Sequence, residues 1–333
     1  NHTLLVGAER VDQENTNHRY RSNFVNGVFG AQQETAWFDI TRSGVFNAGS
    51  TAAGGAKTAN TFVEFTSRLK TQTETDIEVN SIYFQDQWDV TDNLIITLGG
   101  RFDEFDITLR DLVGNATRSA DIEEFGPRGG IVFKPNSNSS LYASYSESFL
   151  PRSGEQFKAM SDSAAITDPD EFENSEIGYK YDDGNTVFSV AYFELESTRF
   201  ERANLASDQT EERDMDVDGY EVAYSGKLTD NLSLAATYSN VDGKNGAADA
   251  REIPEQTWTL WMDYQASPRL SYGLGVTHQG ESLISDGSTR RLPEYERIDF
   301  SLNYDVRDDL TLQFFVENLA DEDYYPHSHG SHQ

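Results

Sequence analysis

Hydrophobic and polar residues alternate along most of this chain. One stretch carries Leu270, Tyr272, Leu274 and Val276 in alternation with Ser271, Gly273, Gly275 and Thr277. Similar stretches start at Trp258, Ile298 and Leu310. A period of two places the apolar side chains on one face of a β-strand and the polar ones on the other. The pattern therefore predicts an all-β protein built from consecutive antiparallel strands.

Short polar turns join pairs of these stretches at regular intervals. Their sequences are VTDNLI (90–95), KPNSNSSL (134–141), YDDGNTV (181–187), LTDNLSL (228–234), ASPRLSY (266–272) and VRDDLTL (306–312). The segments between the hairpins are long and rich in Ser, Asp and Gly. Short turns at one end and long loops at the other are typical of an antiparallel transmembrane β-barrel. A soluble β-sandwich would give the same alternation with its apolar face packed inward.

Strand length and aromatic placement favour the barrel over the sandwich. Stretches 77–88, 94–107 and 216–227 exceed the length of about five or six residues that is usual for a soluble strand. A barrel also places a ring of Tyr and Trp at the membrane interface. The aromatic residues near the short turns are Trp88, Phe133, Tyr142, Tyr181, Tyr264, Tyr272 and Tyr304. We expect Leu274, Phe300, Leu302, Phe314 and Val316 to point outward, and Gly275, Ser301 and Gln313 to face the lumen.

Composition changes this picture little, except for charge. The chain has 333 residues, a mean hydropathy of -0.63 and no cysteine, which excludes disulfides and thiol chemistry. Its net charge of -31, from 26 basic and 57 acidic residues, argues against a nucleic-acid partner. Most acids are expected in solvated loops such as 161–173 and 208–218. A divalent-cation site is the less favoured interpretation, because the spacing of a calcium loop is absent.

No arrangement of residues indicates an enzyme. There is no Gly-x-Ser-x-Gly elbow, and Gly99 and Gly100 lie inside a strand rather than in a phosphate-binding loop. Most histidines lie towards the two ends of the chain: His2, His18, His327, His329 and His332. His327, His329 and His332 of the HSHGSH cluster could contact a ferric complex or bind metal directly. A polar loop or a cloning tag is the favoured interpretation, because imidazoles in a mobile tail are seldom organised, and no metal site is predicted.

Several strings resemble the C-terminal barrel of TonB-dependent outer-membrane receptors, and together they cover essentially the whole chain. They are VTDNLIITLGGRFD (90–103), NSSLYASYSESFLPRSGEQF (138–157), ENSEIGYKYD (173–182), DVDGYEVAYSGKLTDNLSLAATYS (216–239), IPEQTWTLWMDY (253–264) and FFVENLADEDYYPHSHG (314–330). The Asn-Leu-x-Asp-x-x-Tyr-Tyr run at 318–325 is similar to the family's segment before its last loop and closing strand. LPRSGEQF and the His-rich ending most resemble the catecholate-type ferric-siderophore branch.

The resemblance implies that residues 1–333 form a single domain, the C-terminal part of a 22-stranded barrel with a plugged lumen. About thirteen strands are expected here, with the plug domain, the energy-coupling box, the first eight strands and the closing strand outside the sequence. Counting back from 310–319 makes 3–11 the ninth strand. That strand should run outward into the long segment 14–74.

The implied function is active uptake of a ferric siderophore through the outer membrane of a Gram-negative bacterium, with no enzymatic activity and no cofactor. Outer loops would capture the ligand, and the TonB–ExbB–ExbD motor would act through the plug. Outer-membrane lipid and lipopolysaccharide are the other implied partners. A passive porin or adhesin-type barrel stays open, as does a receptor for a vitamin, a sugar or another metal chelate, because variable loops set the substrate.

Ligand contacts must overcome a charge conflict, since a ferric tris-catecholate is anionic and this chain is acidic. Local cations can dominate, because distant charges are screened within about 8 Å at physiological salt. Candidate residues in segments expected to face outward are Phe149, Arg152, Gln156, Phe157, Arg199, Phe200, Arg202, Arg290, Arg291, Tyr325, His327 and His329. We expect Arg152, Arg202 and Arg291 to bind the anion, with Phe149 or Tyr325 stacking on its rings. Ion pairs inside the loops are the alternative role.

Overall fold

A computed structural model describes residues 1–25, 37–38, 48–49, 64–151, 160, 165, 168–202 and 210–328. Its strands are β1 (His2–Val25), β2 (Trp37–Phe38), β3 (Ala48–Gly49), β4 (Glu64–Thr91), β5 (Leu94–Asp111), β6 (Ala116–Asn136), β7 (Ser139–Leu150), β8 (Asp170–Asp182), β9 (Thr186–Arg202), β10 (Thr210–Thr229), β11 (Leu232–Asn245), β12 (Ala248–Asp249), β13 (Gln256–Ser267), β14 (Leu270–Gln279), β15 (Ser282–Leu283), β16 (Arg291–Leu292), β17 (Tyr295–Arg307) and β18 (Leu310–Val316). No helix in these ranges has the length and apolarity to cross a membrane.

Thirteen long strands form one antiparallel sheet in sequence order, β1-β4-β5-β6-β7-β8-β9-β10-β11-β13-β14-β17-β18. Strand β12 adds to β11, and β2–β3 and β15–β16 are separate short hairpins. Each predicted short turn joins two neighbouring strands of the sheet. The predicted strand number, neighbour order and antiparallel pairing are therefore confirmed. One continuous sheet also excludes the two-sheet sandwich for the described part of the chain.

The strands extend further than the apolar alternation predicts. Strand β1 has 24 residues and β4 has 28, so the predicted loop 14–74 is wrong at both of its ends. Likewise β8 begins at Asp170 and β10 at Thr210, within segments predicted to be loops. The alternation continues in these outer segments of the strands, but the positions on the outer face carry charged residues instead of apolar ones. The segments were therefore predicted to be loops.

One face of the sheet is apolar and exposed. Ile82 and Leu98 are each 61% exposed, although both are large aliphatic residues in the middle of long strands. The register places Leu274 opposite Phe300, and Phe300 opposite Val316, on this same face. On β5 the apolar outer positions run from 94 to 102, which matches the about 9–11 residues that a tilted strand needs to cross a bilayer. This lipid-facing band confirms the predicted direction of the apolar side chains.

Beyond the lipid-facing band, towards the long connections, apolar side chains lie on the inner face of the sheet and charged side chains lie on the outer face. Ile82 and Phe84 of β4 lie on the outer face, whereas Ile77 lies on the inner face and is only 4% exposed. On β5, Ile107 and Leu109 are buried inside in the same way, at 0% and 1% exposure. Together with Ala120 and Met160 they form an apolar cluster on the inner wall. Complete burial of one such side chain contributes about 1.5–3 kcal/mol, which explains why the strands continue past the membrane.

The outer face above the band carries a belt of carboxylates, here called the acidic belt. Its acids are Asp12, Glu14, Glu74, Asp76, Glu78, Glu104, Asp106, Asp121, Glu123, Glu147, Glu173, Glu194, Glu196, Asp214, Asp216, Asp218, Asp242 and Glu296. Several of them stand directly opposite each other, such as Glu104 and Glu123, or Glu196 and Asp216. The prediction that most acids lie in loops is therefore wrong, and much of the negative charge is fixed on strands.

Removing charge from the acidic belt should stabilise the protein. Like charges directly opposite on neighbouring strands are destabilising, so Glu104→Gln together with Glu196→Gln should raise the free energy of unfolding by about 1 kcal/mol at low salt. The gain should vanish at 1 M salt, where screening acts within about 3 Å. Urea unfolding of the full-length protein at both salt concentrations measures this. Asp309→Asn is the control, because Asp309 lies in a short turn, not opposite an acid of a neighbouring strand, and pairs with Arg307 at 2.9 Å. A gain in that variant would contradict the explanation.

Aromatic residues border the lipid-facing band at both ends. The rings of Tyr264 and Tyr272 lie near a short turn, as predicted, with their centroids 5.4 Å apart. The rings of Tyr220 and Tyr238 form a second pair at the opposite end of the band, with centroids 5.8 Å apart. Tyr142 does not belong to the predicted ring. It lies on the inner face, where its hydroxyl donates to Glu176 and its ring lies against Gly178, on which a Cβ would be 2.6 Å from the ring. Its position in the alternation, between outward Leu141 and Ala143, sets that direction.

Candidate functional site

The outer strand ends and the described connections 246–255, 280–294 and 317–328 form the candidate ligand-binding mouth. Of the predicted contact residues, side chains are described for Phe149, Arg290, Arg291, Tyr325 and His327. The positions that lie outside the described residues are Arg152, Gln156, Phe157 and His329. Arg199, Phe200 and Arg202 are part of β9 rather than of a loop, so their predicted loop position is wrong.

Phe149 belongs to β7 and packs against the inner wall. Its ring meets Phe105 edge to face, with centroids 5.9 Å apart. Phe105 in turn packs against the apolar cluster that includes Met160. The pairing between β6 and β7 ends at Arg128 and Ser146, below this level. Phe149 therefore holds the outer end of β7 over the inner face of β5, which leaves less of its ring free for stacking on a ligand.

Arg290 and Arg291 lie on a short hairpin at the rim. Arg291 opens β16, opposite Leu283 of β15, and its guanidinium pairs with Glu281 at 3.2 Å. Arg290 and Arg291 are both exposed. For Arg291 this geometry matches the alternative role of an ion pair within the loop, so an anionic ligand would have to compete with Glu281.

Tyr325 and His327 reach the same rim from the segment that follows β18. Ser328 donates its backbone N–H to Glu252 at 2.8 Å, and its hydroxyl donates to the carbonyl of Ile284 at 3.1 Å. Glu252 donates its own N–H to Leu283 at 2.9 Å. The structure thus brings Arg290, Arg291, Tyr325 and His327 onto one group of connections, while Phe149 lies on a separate part of the wall.

A buried polar network below Tyr325 explains the Asn-Leu-x-Asp-x-x-Tyr-Tyr run. Arg297 donates to Asp299 at 3.0 Å and to the Tyr324 hydroxyl at 3.4 Å, and it pairs with Glu317 at 2.9 Å. Asn318 donates its N–H to the Asp299 carboxylate at 2.9 Å.

Asn318 closes the turn itself. Its φ is 54°, a left-handed conformation that Asn adopts more readily than most residues. Its side-chain amide exchanges two hydrogen bonds with the backbone of Glu322, at 3.0 and 2.9 Å. The run itself was predicted by resemblance, whereas its partners Arg297 and Asp299 were not predicted. Their alternation towards the inner face is the signal that could have found them.

The inner wall carries a second buried network at the level of the membrane. Asp103 is 6% exposed and accepts hydrogen bonds from Ser81 and from Arg101, whose Nε lies 2.8 Å from its carboxylate. Arg101 also donates to Glu9 at 2.9 Å and to Ser81 at 2.8 Å. A buried carboxylate needs such partners. No group of side chains in the described ranges could hold a metal ion.

The contact between Ser328 and Glu252 should depend on pH. Hydrogen bonds from Ser328 hold the pKa of Glu252 below its ordinary value of 4.5. A lowered pKa stabilises the docked segment above that ordinary value, and the contribution is lost as the pH falls through the lowered pKa. We expect protection of the Ser328 amide against hydrogen exchange, corrected for intrinsic rates, to fall below about pH 4.5. Glu252→Gln should abolish the pH step, and an unchanged step in that variant would contradict the assignment.

Comparisons with known proteins agree with this architecture. A family model described as "TonB dependent receptor-like, beta-barrel" matches residues 3–319. The probable TonB-dependent siderophore receptor PiuA of Acinetobacter baumannii is 27% identical in an alignment of length 308, and the match covers 80% of this chain and 40% of that protein. The ferrioxamine B receptor of Salmonella typhimurium is 24% identical, over 97% of this chain and 44% of its own length.

Solved structures show the same fold. The crystal structure of PiuA superposes with a TM-score of 0.79 at 24% identity, covering 99% of this chain and 50% of that one. The ferric-catecholate import receptor Fiu of E. coli gives a TM-score of 0.76 at 20% identity, covering 99% of this chain and 49% of that one. The chain therefore spans half or less of the length of these relatives.

Proposed function

This chain belongs to the TonB-dependent receptor β-barrel family, and from that premise we propose that the whole protein takes up a ferric siderophore. The family resides in the outer membrane of Gram-negative bacteria, where lipid surrounds the exposed apolar band. The observation that carries the proposal is the family match along 3–319 in a chain whose described strands form the corresponding sheet. Relatives named as siderophore receptors support the substrate class.

In the proposed mechanism, the outer mouth binds the chelate and the TonB–ExbB–ExbD motor drives its release through a plug. The protein would act as a transporter rather than an enzyme and would need no cofactor, since the ferric siderophore is its cargo. Outer-membrane lipid and lipopolysaccharide would surround the band and the acidic belt.

The proposed substrate is a catecholate-type chelate. The likeness to the catecholate receptor Fiu supports it at the level of fold. Binding of the anion would rest on Arg152, Arg202 and Arg291, with exposed Tyr325 or partly buried Phe149 against the rings. Arg199, Arg290, Gln156, His327 and His329 remain further candidate contacts. Local guanidinium groups can outweigh the distant acidic belt because salt screens the belt within about 8 Å.

Conductance of the full-length protein in planar bilayers separates this proposal from a passive porin. A plugged transporter should show no steady open-channel current at moderate voltage. Removal of the plug-encoding region should create one, which serves as the positive control for insertion. A steady conductance of the intact protein equal to that of the plugless form would favour the porin.

A further inference from the structure

The outer ends of β7 and β8 leave the wall formed by the long strands. The ladder between β6 and β7 ends at Arg128 and Ser146, whereas the ladder between β7 and β8 continues to the outer end of both strands. Pro127 is the first residue of β6 beyond its ladder with β7, and a proline has no N–H to donate to a neighbouring strand. The strand ends 147–150 and 170–173, here called the inward strap, are therefore separated from β6.

The inward strap lies inside the wall. In the alternation of β7, Phe149 has the same phase as outward Leu141, yet its ring meets Phe105 on the inner face of β5, with centroids 5.9 Å apart. Gly126 of β6 permits this crossing, because a Cβ there would lie 2.8 Å from the carbonyl oxygen of Glu147. The strap must therefore pass in front of the inner faces of β5 and β6.

Apolar packing holds the inward strap in this position. Phe105 packs against the apolar cluster that includes Ile107. Met160, in the connection between β7 and β8, belongs to the same cluster and is only 8% exposed. On its other side the strap is part of the wall, since β8 stays paired with β9 as far as Glu171 and Thr198. The strap is thus joined to β9 by a ladder and to β5 by side-chain packing.

Like charges oppose the same position. Glu124 shares the inner face of β6 with Ala120 of the apolar cluster. Asp168 and Glu171, just before and within the β8 part of the strap, are close enough to repel its charge. Apolar packing therefore holds the strap against an electrostatic repulsion. Packed contacts of this kind have discrete alternative positions rather than a continuous range.

We propose that the inward strap is a gate of the outer mouth, closed while Phe149 rests on Phe105 and open when the strap swings off the inner wall about its β9 side. In the closed position the strap narrows the mouth from within. The nature of the ligand that passes the gate rests on the proposed function. The opening itself requires neither iron nor the motor and can be measured without them.

The rate at which hydrogen peroxide oxidises Met160 in the full-length receptor, followed by mass spectrometry, measures the opening. The closed gate protects Met160, because oxidation needs access to its sulfur. Gly126→Ala should raise the rate about tenfold or more, since the added Cβ displaces the strap. Gly130→Ala is the matched control, because a Cβ there would make an ordinary contact of 3.5 Å with the Ala143 carbonyl. Glu124→Gln should lower the rate, because it removes the repulsion.

Unchanged oxidation in both Gly126→Ala and Glu124→Gln, or an equal rise in Gly130→Ala, would overturn the proposal. The two test variants are expected to act in opposite directions, so a general loss of folding cannot imitate the result. Met215 and Met262 of the same molecules provide internal reference rates.

A cross-link tests whether the strap controls passage. This chain has no cysteine, so Phe105→Cys together with Phe149→Cys allows dibromobimane to join the two positions in whole cells. Cross-linking should reduce uptake of a ferric chelate to the background of a receptor-free strain, while each single-cysteine variant, treated alike, should keep its uptake. Undiminished uptake by the cross-linked receptor would overturn the gate. If the wild type binds the chelate but imports none, the proposed function fails, and the Met160 rates decide the gate.

Discussion

Replacing Arg101 by Met should destabilise the full-length protein by about 2–3 kcal/mol. The substitution leaves Asp103 charged and nearly buried, with Ser81 as its remaining side-chain hydrogen-bond donor in the described part of the chain. Removal of one partner from a fully buried ion pair costs about 3–5 kcal/mol. We expect less here because the Arg101 side chain is 41% exposed and water can replace part of it. Urea unfolding in detergent or lipid measures the change.

Arg110→Met provides a matched control. Arg110 pairs with Asp76 at 2.7 Å, but both side chains are nearly half exposed, and such surface pairs contribute about 0–1 kcal/mol. Arg101→Met combined with Asp103→Leu should recover most of the lost stability, because it removes the uncompensated charge. Equal effects of Arg101→Met and Arg110→Met would contradict the role assigned to the buried network.

Replacing Arg152, Arg202 and Arg291 together by Gln should weaken binding of a ferric catecholate by about a hundredfold or more, since each hydrogen bond to a charged group contributes about 1.5–3 kcal/mol. The loss of affinity should result from removing these three contacts at the mouth and not from the change in net charge. Arg10, Arg110 and Arg307 replaced by Gln change the net charge equally, and all three side chains are exposed in ion pairs elsewhere. Titration of the full-length receptor with ligand measures both variants. Unchanged affinity in the variant of the mouth, or equal losses of affinity in both variants, would contradict the assignment of these three arginines as ligand contacts.

The alternation, as at 270–277, and the short turns were sufficient to predict antiparallel strands in sequence order. The outward direction of the apolar face also needed the strand lengths and the aromatic placement, because a soluble sandwich shows the same period of two. The outer parts of the strands were harder to recognise. Ile77 and Ile82 lie on opposite faces of the same strand, and this change of phase marks the level at which lipid ends and the protein's own interior begins. This change of phase is visible in the sequence, but it is recognised only when the alternation is traced beyond the apolar residues into the charged part of the strand.

The candidate site was less predictable than the fold. That Arg291 pairs with Glu281 depends on how a short hairpin folds back at the rim, and no periodicity encodes that contact. The packing of Phe149 on Phe105 likewise depends on the departure of β7 from β6 above Ser146. Contacts between connections are set by tertiary packing, whereas the strands are set by local pattern.

Uptake of radiolabelled iron by whole cells tests the central claim most directly. Cells that produce the full-length receptor should accumulate iron from a ferric siderophore only when the TonB–ExbB–ExbD motor is intact, while the ligand still binds to the cell surface in a motor-deficient strain. A receptor-free strain sets the background. Uptake that continues at the same rate without the motor, or that is absent for every ferric siderophore tested despite a correctly inserted protein, would contradict the account.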